Sequence, residues 1–481
     1  MPGTYDKAGF LYEPITILKM RKVANLFDVH NAAALLFAGI ILGGCSNSGN
    51  GELVGVPGRK APDIQVPFGM TYVPGGSFVF GAGGFDPTYQ MLNFKSVSIS
   101  DFFMDETEIT NNEYRQFVEY VKEYHIRKIL AENQVEGYFI EPENEEEDYG
   151  EPRINWRTKL KITPEMDEML SELYLPEEER FAHRKEFDIR KLTYEYWTFD
   201  LQSAAQKSWN EEDEEDMPDD GVYYGAFVSR PQSMRSRQQY VQRHIVNVYP
   251  DTLCWIFDWS YSYNDPMATG YFNSPMYDNY PVVGVNWKQA EAFCKWRSNM
   301  YNEAMAAKGY PTAQEFRLPT EAQWEYAARG GLDASPYPWG GSYARNINGC
   351  LLGNFKPGRG DYGADGSLYP CIVGHYAPND YGLYDMMGNV AEWCIDAYNE
   401  SIANNHDFNP AYTYDAKPED GVGLKRKVIR GGSFKDFADI CKVYYRTFEY
   451  QDTCKSYVGF RCVQPLLSSG LLQGGSESHV Y

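Results

Sequence analysis

The sequence predicts an α+β fold on three observations. Helix starts are marked by capping boxes, short apolar strands are bounded by Pro-Gly turns, and the remainder is rich in Gly, Tyr and Trp without long periodicity. The 481 residues are 16% aromatic, which is enough to furnish a sizeable core. Lys and Arg total 44 against 67 Asp and Glu, a formal charge of −23. That balance argues against nucleic-acid binding, which needs dense cationic side chains. It also supplies no polybasic patch for anionic lipid.

The first segment, 1–44, reads as a leader. Met20-Arg21-Lys22 is a short basic start, and Ala32 to Leu42 is an apolar run too short to span a bilayer. It closes on Leu42-Gly43-Gly44-Cys45, which resembles the bacterial lipobox. That resemblance implies a true start at Met20, acylation of Cys45 and, with Ser46 next, carriage to the periplasmic face of the outer membrane. An ordinary signal peptide with an incidental cysteine is the competing reading. Residues 45–67, rich in Gly, Ser, Asn and Pro, read as a flexible tether.

The body is expected over 68–466. Met70 to Gly81 reads as two short strands around Pro74-Gly75-Gly76, and Val97 to Phe103 as another strand. Thr110 and Glu113 form a capping box, followed at helical spacing by Tyr114, Phe117, Val118 and Val121. From about 126 to 275 the composition changes, as in a long insertion. Glu141–Glu151 and Glu211–Asp220 are acidic runs without a base, and Ser229–His244 carries four Arg without an acid. Such runs are either solvated or form an electrostatic surface for a partner. Between them Thr163-Pro164 starts a short helix. Further helix starts are marked by Asn286 with Gln289 and by Thr320 with Gln323. Residues 467–481, Ser- and Gly-rich, read as a disordered tail.

Seven segments occur in order: Gly69–Gly81, Asp105–Tyr114, Tyr280–Trp287, Phe316–Glu325, Asn379–Trp393, Arg430–Phe434 and Tyr457–Arg461. Together they resemble the formylglycine-generating-enzyme, or sulfatase-modifying factor, family over roughly 70–125 and 276–465. The resemblance implies a C-type-lectin-like arrangement of short helices, twisted strands and long loops, with the acidic insertion foreign to the minimal form. Catalytic members hold copper between two cysteines after the Gly-Gly-Ser segment, a soft ion on a soft pair. Here the first position is Asp436 and the second Cys441, so the resemblance implies no oxidising centre and no catalytic residue. The iron-dependent branch of the family needs three His on a helical domain, and the 7 His here are scattered.

The family's calcium sites would fall on Asn354 with Asp365 and on Asn389 with Glu392, oxygen donors suited to a hard structural ion. A turn cap at Asn389 and a buried salt bridge at Glu392 are the alternatives. The family's disulfide would join Cys294 to Cys462, whereas the partners of a second bridge are Ala328 and Arg446. A narrower resemblance, carried by the lipobox, the insertion and Tyr249–Thr252 with Tyr261–Met267, is to the PorK/GldK lipoproteins of type IX secretion and gliding motility. It implies a non-catalytic structural role in a self-associating periplasmic ring with a PorN/GldN-type partner. The alternative is a formylglycine-generating-type oxidoreductase acting on a cysteine or a related substrate.

Overall fold

The computed structural model describes residues 66–81, 95–140, 153–200, 240–258, 265–358, 363, 367–400 and 406–466. Cys45, Asp365, the leader, both acidic runs and the tail lie outside them. The strands in chain order are β1 (Met70–Val73), β2 (Gly76–Phe80), β3 (Lys95–Ile99), β4 (Phe102–Asp105), β5 (Phe139–Ile140), β6 (Arg153–Ile154), β7 (Thr193–Phe199) and β8 (Val241–Asn247). They continue with β9 (Ala391–Ala397), β10 (Arg426–Arg430), β11 (Thr447–Tyr450), β12 (Val458–Gly459) and β13 (Val463–Pro465). The α-helices are α1 (Asn111–Glu132), α2 (Pro164–Met169), α3 (Cys254–Asp258), α4 (Asp265–Gly270), α5 (Trp287–Ala307) and α6 (Glu321–Arg329). This is an α+β fold with mixed sheets: β11-β10-β9-β12, where β12 runs parallel to β9, beside an antiparallel sheet β1-β4-β13.

The three long-range helix starts have the capping boxes that their sequence pattern requires. Thr110 accepts from Glu113 N while Glu113 accepts from Thr110 N, and Asn286/Gln289 and Thr320/Gln323 repeat the arrangement. Each cap is worth about 1 kcal/mol. The N-terminal strands differ from expectation. β1 and β2 flank the Pro-Gly-Gly turn but pair elsewhere, β1 with β4 and β2 with β3. The run read as one strand from Val97 to Phe103 breaks at Ser100-Asp101. There Ser100 N donates to Asn409 Oδ1 at 2.8 Å, and Asp101 accepts from Tyr72 Oη at 3.0 Å. Side-chain acceptors replace the ladder at the point where the chain changes sheets.

Two apolar clusters carry the body. In one, α1 and α5 interlock through Tyr114 stacked on Phe293 at 5.6 Å, with Phe117, Phe460 and Trp393 around them. In the other, Trp324 of α6 lies among Phe78, Phe80, Phe102 and Val428. Full burial of each such side chain contributes about 1.5–3 kcal/mol. Two buried indoles are satisfied, Trp287 Nε1 on Cys394 O at 2.9 Å and Trp393 Nε1 on Val285 O at 3.0 Å, whereas Trp296 Nε1 is buried without a partner among the described residues.

The inserted region is built into this body. α1 runs past the composition change at about 126 to Glu132. Leu192, Tyr196 and Val248, around the β7–β8 hairpin, belong to the same cluster as Tyr114. Tyr196 stacks on His244 at 4.9 Å and reaches Glu291 on α5 at 3.4 Å.

Beside this junction Lys427 is buried, with Nζ 3.5 Å from the Trp287 ring centroid and donating to Tyr414 O at 2.6 Å. Burial holds its pKa down to about 8, against the pull of Asp415 and Glu291. An unfolded lysine keeps its proton to about 10.4. Between those values the unfolded chain binds the extra proton, so the contribution of Lys427 to stability should rise as pH climbs from about 8 to about 10, opposite in sign to that of buried thiols such as Cys394 and Cys441, which burial raises. Lys427→Met should flatten that rise and stabilise the protein at pH 7 by about 2 kcal/mol, net of the lost hydrogen bond. Urea melts at pH 7 and pH 10 check this. An unchanged slope in the variant would contradict it.

Candidate functional site at the Gly431–Cys441 loop

β10 ends at Arg430, and the chain turns through Gly431 and Gly432 with φ of +88° and +67°. A Cβ at Gly432 would meet Cys441 Sγ at 2.5 Å, so only glycine lets the turn close over this cysteine. Cys441 is fully buried among Tyr337, Leu351, Phe355 and Met387. Its thiol lies 3.9 Å from Ser433 O. Burial pushes the thiol well above its ordinary pKa, and the Asp436 charge pushes the same way. The thiolate, which is the nucleophile and the metal ligand, is therefore disfavoured.

Asp436 is engaged locally. Its Oδ2 accepts from Ser433 N at 3.0 Å and from Ser433 Oγ at 2.6 Å, and its carbonyl takes Lys356 N at 2.8 Å. The loop thus presents one protonated sulfur and one hard carboxylate that caps a turn. That donor set does not fit a soft copper ion, which needs two thiolates. Among the described residues no three His, Cys, Asp or Glu converge to hold a metal.

The loop is anchored by buried ion pairs. Arg430, at 0% exposure, pairs with Glu325, which also accepts from Arg329 Nη2 at 2.7 Å and from Gly81 N at 2.9 Å. Arg446 takes both oxygens of Glu321, so an ion pair occupies the position of one second-bridge cysteine.

Asn354 and Asn389 come together, whereas the sequence had put them in separate sites. Asn354 Nδ2 donates to Asn389 Oδ1 at 3.3 Å and to Tyr369 O at 3.0 Å. Asn389, at φ +58°, accepts Cys371 N at 2.9 Å and donates to Glu108 Oε1 at 3.1 Å. Between them a Cβ on Gly388 would sit 2.2 Å from Asn354 O. Glu392 accepts Arg461 on both oxygens, at 2.6 and 2.7 Å, and Trp324 Nε1 at 2.7 Å. As arranged, Glu392 does not fit a calcium ligand. Among the described residues, the buried acid oxygens that meet no N–H or hydroxyl donor are instead Glu108 Oε2 and Asp385 Oδ1, on two carboxyls that interact with each other. Burial raises both carboxyls, and Asp385 raises Glu108 further while Arg461 lowers it. Sequence reading missed this pair. Glu108 and Asp385 lie in the segments Asp105–Tyr114 and Asn379–Trp393, and nothing in their spacing shows that they meet.

The sulfatase-modifying factor enzyme 1-like domain matches residues 59–466, most of the chain. The chain belongs to this family. It is 36% identical over 189 residues to the formylglycine-generating enzyme of Thermomonospora curvata, covering 38% of this chain and 55% of that one. It is 35% identical to the inactive Cα-formylglycine-generating enzyme 2 of Bos taurus, covering 38% and 50%. The chain thus spans about half the length of these curated relatives. Among solved structures, Treponema denticola variable protein 1 is 28% identical over 40% of this chain and 74% of that one, with a TM-score of 0.32.

These findings correct the narrower expectation. Both relatives bear the name of a formylglycine-generating enzyme, one of them as inactive, and neither is a secretion or gliding component. The resemblance to PorK/GldK, and the type IX ring lipoprotein role at the outer membrane that it implied, are overturned by that relationship. The lipobox and tether are short local patterns, and they carry far less information than a domain match that spans residues 59–466. No described helix is long and apolar enough to cross a membrane.

Within the sulfatase-modifying factor body, Cys294 on α5 and Cys462 beside β13 bring their sulfurs to 3.4 Å, both buried. Bond formation needs an approach to about 2.05 Å. Protein prepared under oxidising conditions should carry a Cys294–Cys462 peptide in non-reducing mass spectrometry. Its reduction should lower stability by about 3–5 kcal/mol. Two free thiols at these positions after oxidation would refute the pairing.

Proposed function

We propose that the chain is a non-oxidising member of the sulfatase-modifying factor family, one that keeps the family's body without its two-thiolate centre. The observation that carries this reading is the geometry at Ser433. Asp436 stands where a thiolate is needed and holds the turn, while Cys441 is enclosed as a neutral thiol. A relative named as inactive at 35% identity is in keeping with such a member. On this reading the core takes the family's C-type-lectin-like arrangement, and its loops bind ligands without converting them. The second reading, a formylglycine-generating-type oxidoreductase acting on a cysteine, is favoured by the 36% identity to an active enzyme and by the retained Cys441.

One assay separates them. The full chain is incubated with a cysteine-containing peptide, copper(I) and oxygen, and aldehyde formation is followed by hydrazide capture and mass. No aldehyde above the protein-free control is expected. Aldehyde formation by the wild type that disappears in Cys441→Ser would establish the oxidoreductase instead.

A further inference from the structure

A second cleft, of about 290 Å³, opens at the far end of β9 and β10 and shares no residue with the Cys441 cluster. Its walls include Tyr398, Tyr412, Tyr414 and Leu424, with Arg426 and Glu400 among the polar lining. The volume is at the lower end of ligand pockets, enough for a small acid or one side chain.

Arg426 is the unusual member. Its backbone is fixed, opposite Tyr450 on β11 and accepting Tyr398 N at 2.9 Å. Its guanidinium lies 4.4 Å from the Phe448 ring centroid, and Phe448 in turn packs on Tyr398 at 4.8 Å. Stacking fixes the guanidinium plane without engaging a single N–H. Arg430, Arg446 and Arg461 each end on a carboxylate. Among the described residues, Arg426 donates no side-chain hydrogen bond and makes no ion pair, whereas its buried Nε is unpartnered as those of Arg115 and Arg430 are. A rigid planar fork beside an aromatic-walled cleft is the arrangement that recognises carboxylates.

The acids nearby do not supply that partner. Asp420 accepts Tyr414 Oη at 2.8 Å and Lys417 N at 2.7 Å. Glu400 lines the cleft but is exposed to solvent and forms no ion pair with Arg426.

We infer that this cleft binds a carboxylate joined to an apolar or aromatic group, with Arg426 holding the carboxylate and Tyr412 and Leu424 covering the group. The inference goes beyond the proposed function and stands whether or not the Cys441 loop is catalytic. The test is calorimetric titration of the full chain at low salt with N-acetyl-phenylalanine and with its amide. The acid should bind about tenfold more tightly, as expected for a charge-assisted bidentate pair. Arg426→Gln should abolish the preference, and Glu400→Gln should strengthen binding of the acid. Tyr412→Ala, at an exposed position, should weaken both probes and leave the preference intact.

A pentapeptide ending in a free phenylalanine carboxylate identifies the source. Tighter binding than the single acid assigns a chain terminus, weaker binding assigns a free acid, and either supports the site. Equal binding of acid and amide, or a preference that survives in folded Arg426→Gln, would overturn the proposal. So would a Tyr412→Ala variant that binds both probes as the wild type does.

Discussion

Arg461→Met is expected to leave the protein largely unfolded at 37 °C. The guanidinium is fully buried and grips both oxygens of Glu392. Its remaining donors take Asp105 O at 3.1 Å, Glu106 O at 3.3 Å and Tyr384 O at 2.9 Å, so one side chain joins β4, β9 and the loop before β9. Met fills much of the volume but satisfies none of these groups. An orphaned buried carboxylate costs about 3–5 kcal/mol. Abandoned carbonyls add about 1–3 kcal/mol each where water does not reach them. Against a typical stability of about 5–15 kcal/mol, that sum is close to the whole. The measurement is the urea midpoint at 25 °C beside the yield of soluble protein. Adding Glu392→Gln should recover part of the loss by removing the stranded charge. A double variant no better than the single would locate the cost in the carbonyls instead.

Asp436→Cys should convert the Ser433 turn into a two-sulfur site. Asp436 and Cys441 both approach Ser433, one at its hydroxyl and amide, the other at its carbonyl. With one thiol the wild type should bind copper(I) no better than an isolated buried cysteine does. With two it should bind at least about a hundredfold more tightly, because a soft ion gains a second soft ligand. The substitution also gives up the Asp436 hydrogen bonds, worth about 1–2 kcal/mol. A lower melting temperature should therefore accompany the tighter binding, and copper(I) should restore it by mass action. Competition against a chromogenic copper(I) chelator reads the affinity. Equal affinity in both proteins would mean that the two side chains do not converge.

Much of this fold was legible because its signals are local. The capping boxes at Thr110, Asn286 and Thr320 place three helix starts to the residue. Strand boundaries were less legible. The break at Ser100-Asp101 depends on Asn409 and Tyr72, partners that no local pattern names. At the site, the residue at 436 was readable by type, but its hydrogen bonds to Ser433 were not. Glu392 illustrates the same limit, since a carboxylate looks alike whether it awaits a cation or an arginine. The membership of Tyr196 and Val248 in the main core was hidden by the acidic runs, one before β7 and one between β7 and β8 in the sequence. The type IX role failed for a related reason. Leader, tether and composition describe where and how a chain travels, and the domain match over 59–466 describes what it is built from.

The short strand β13 has a consequence for biogenesis. It lies against β4, and Cys462 N reaches Asp105 across a separation of 357 positions. During synthesis the early strands must wait for that last piece of chain. At about 5–20 residues per second the wait is roughly 20–70 s. Until then β4 has an unpaired edge, the kind of surface that seeds association between nascent chains. Contacts this distant in sequence also slow refolding from denaturant. A ribosome should therefore carry this protein in an unfinished state for most of its translation, and ending the chain before Val463 should leave an aggregating product.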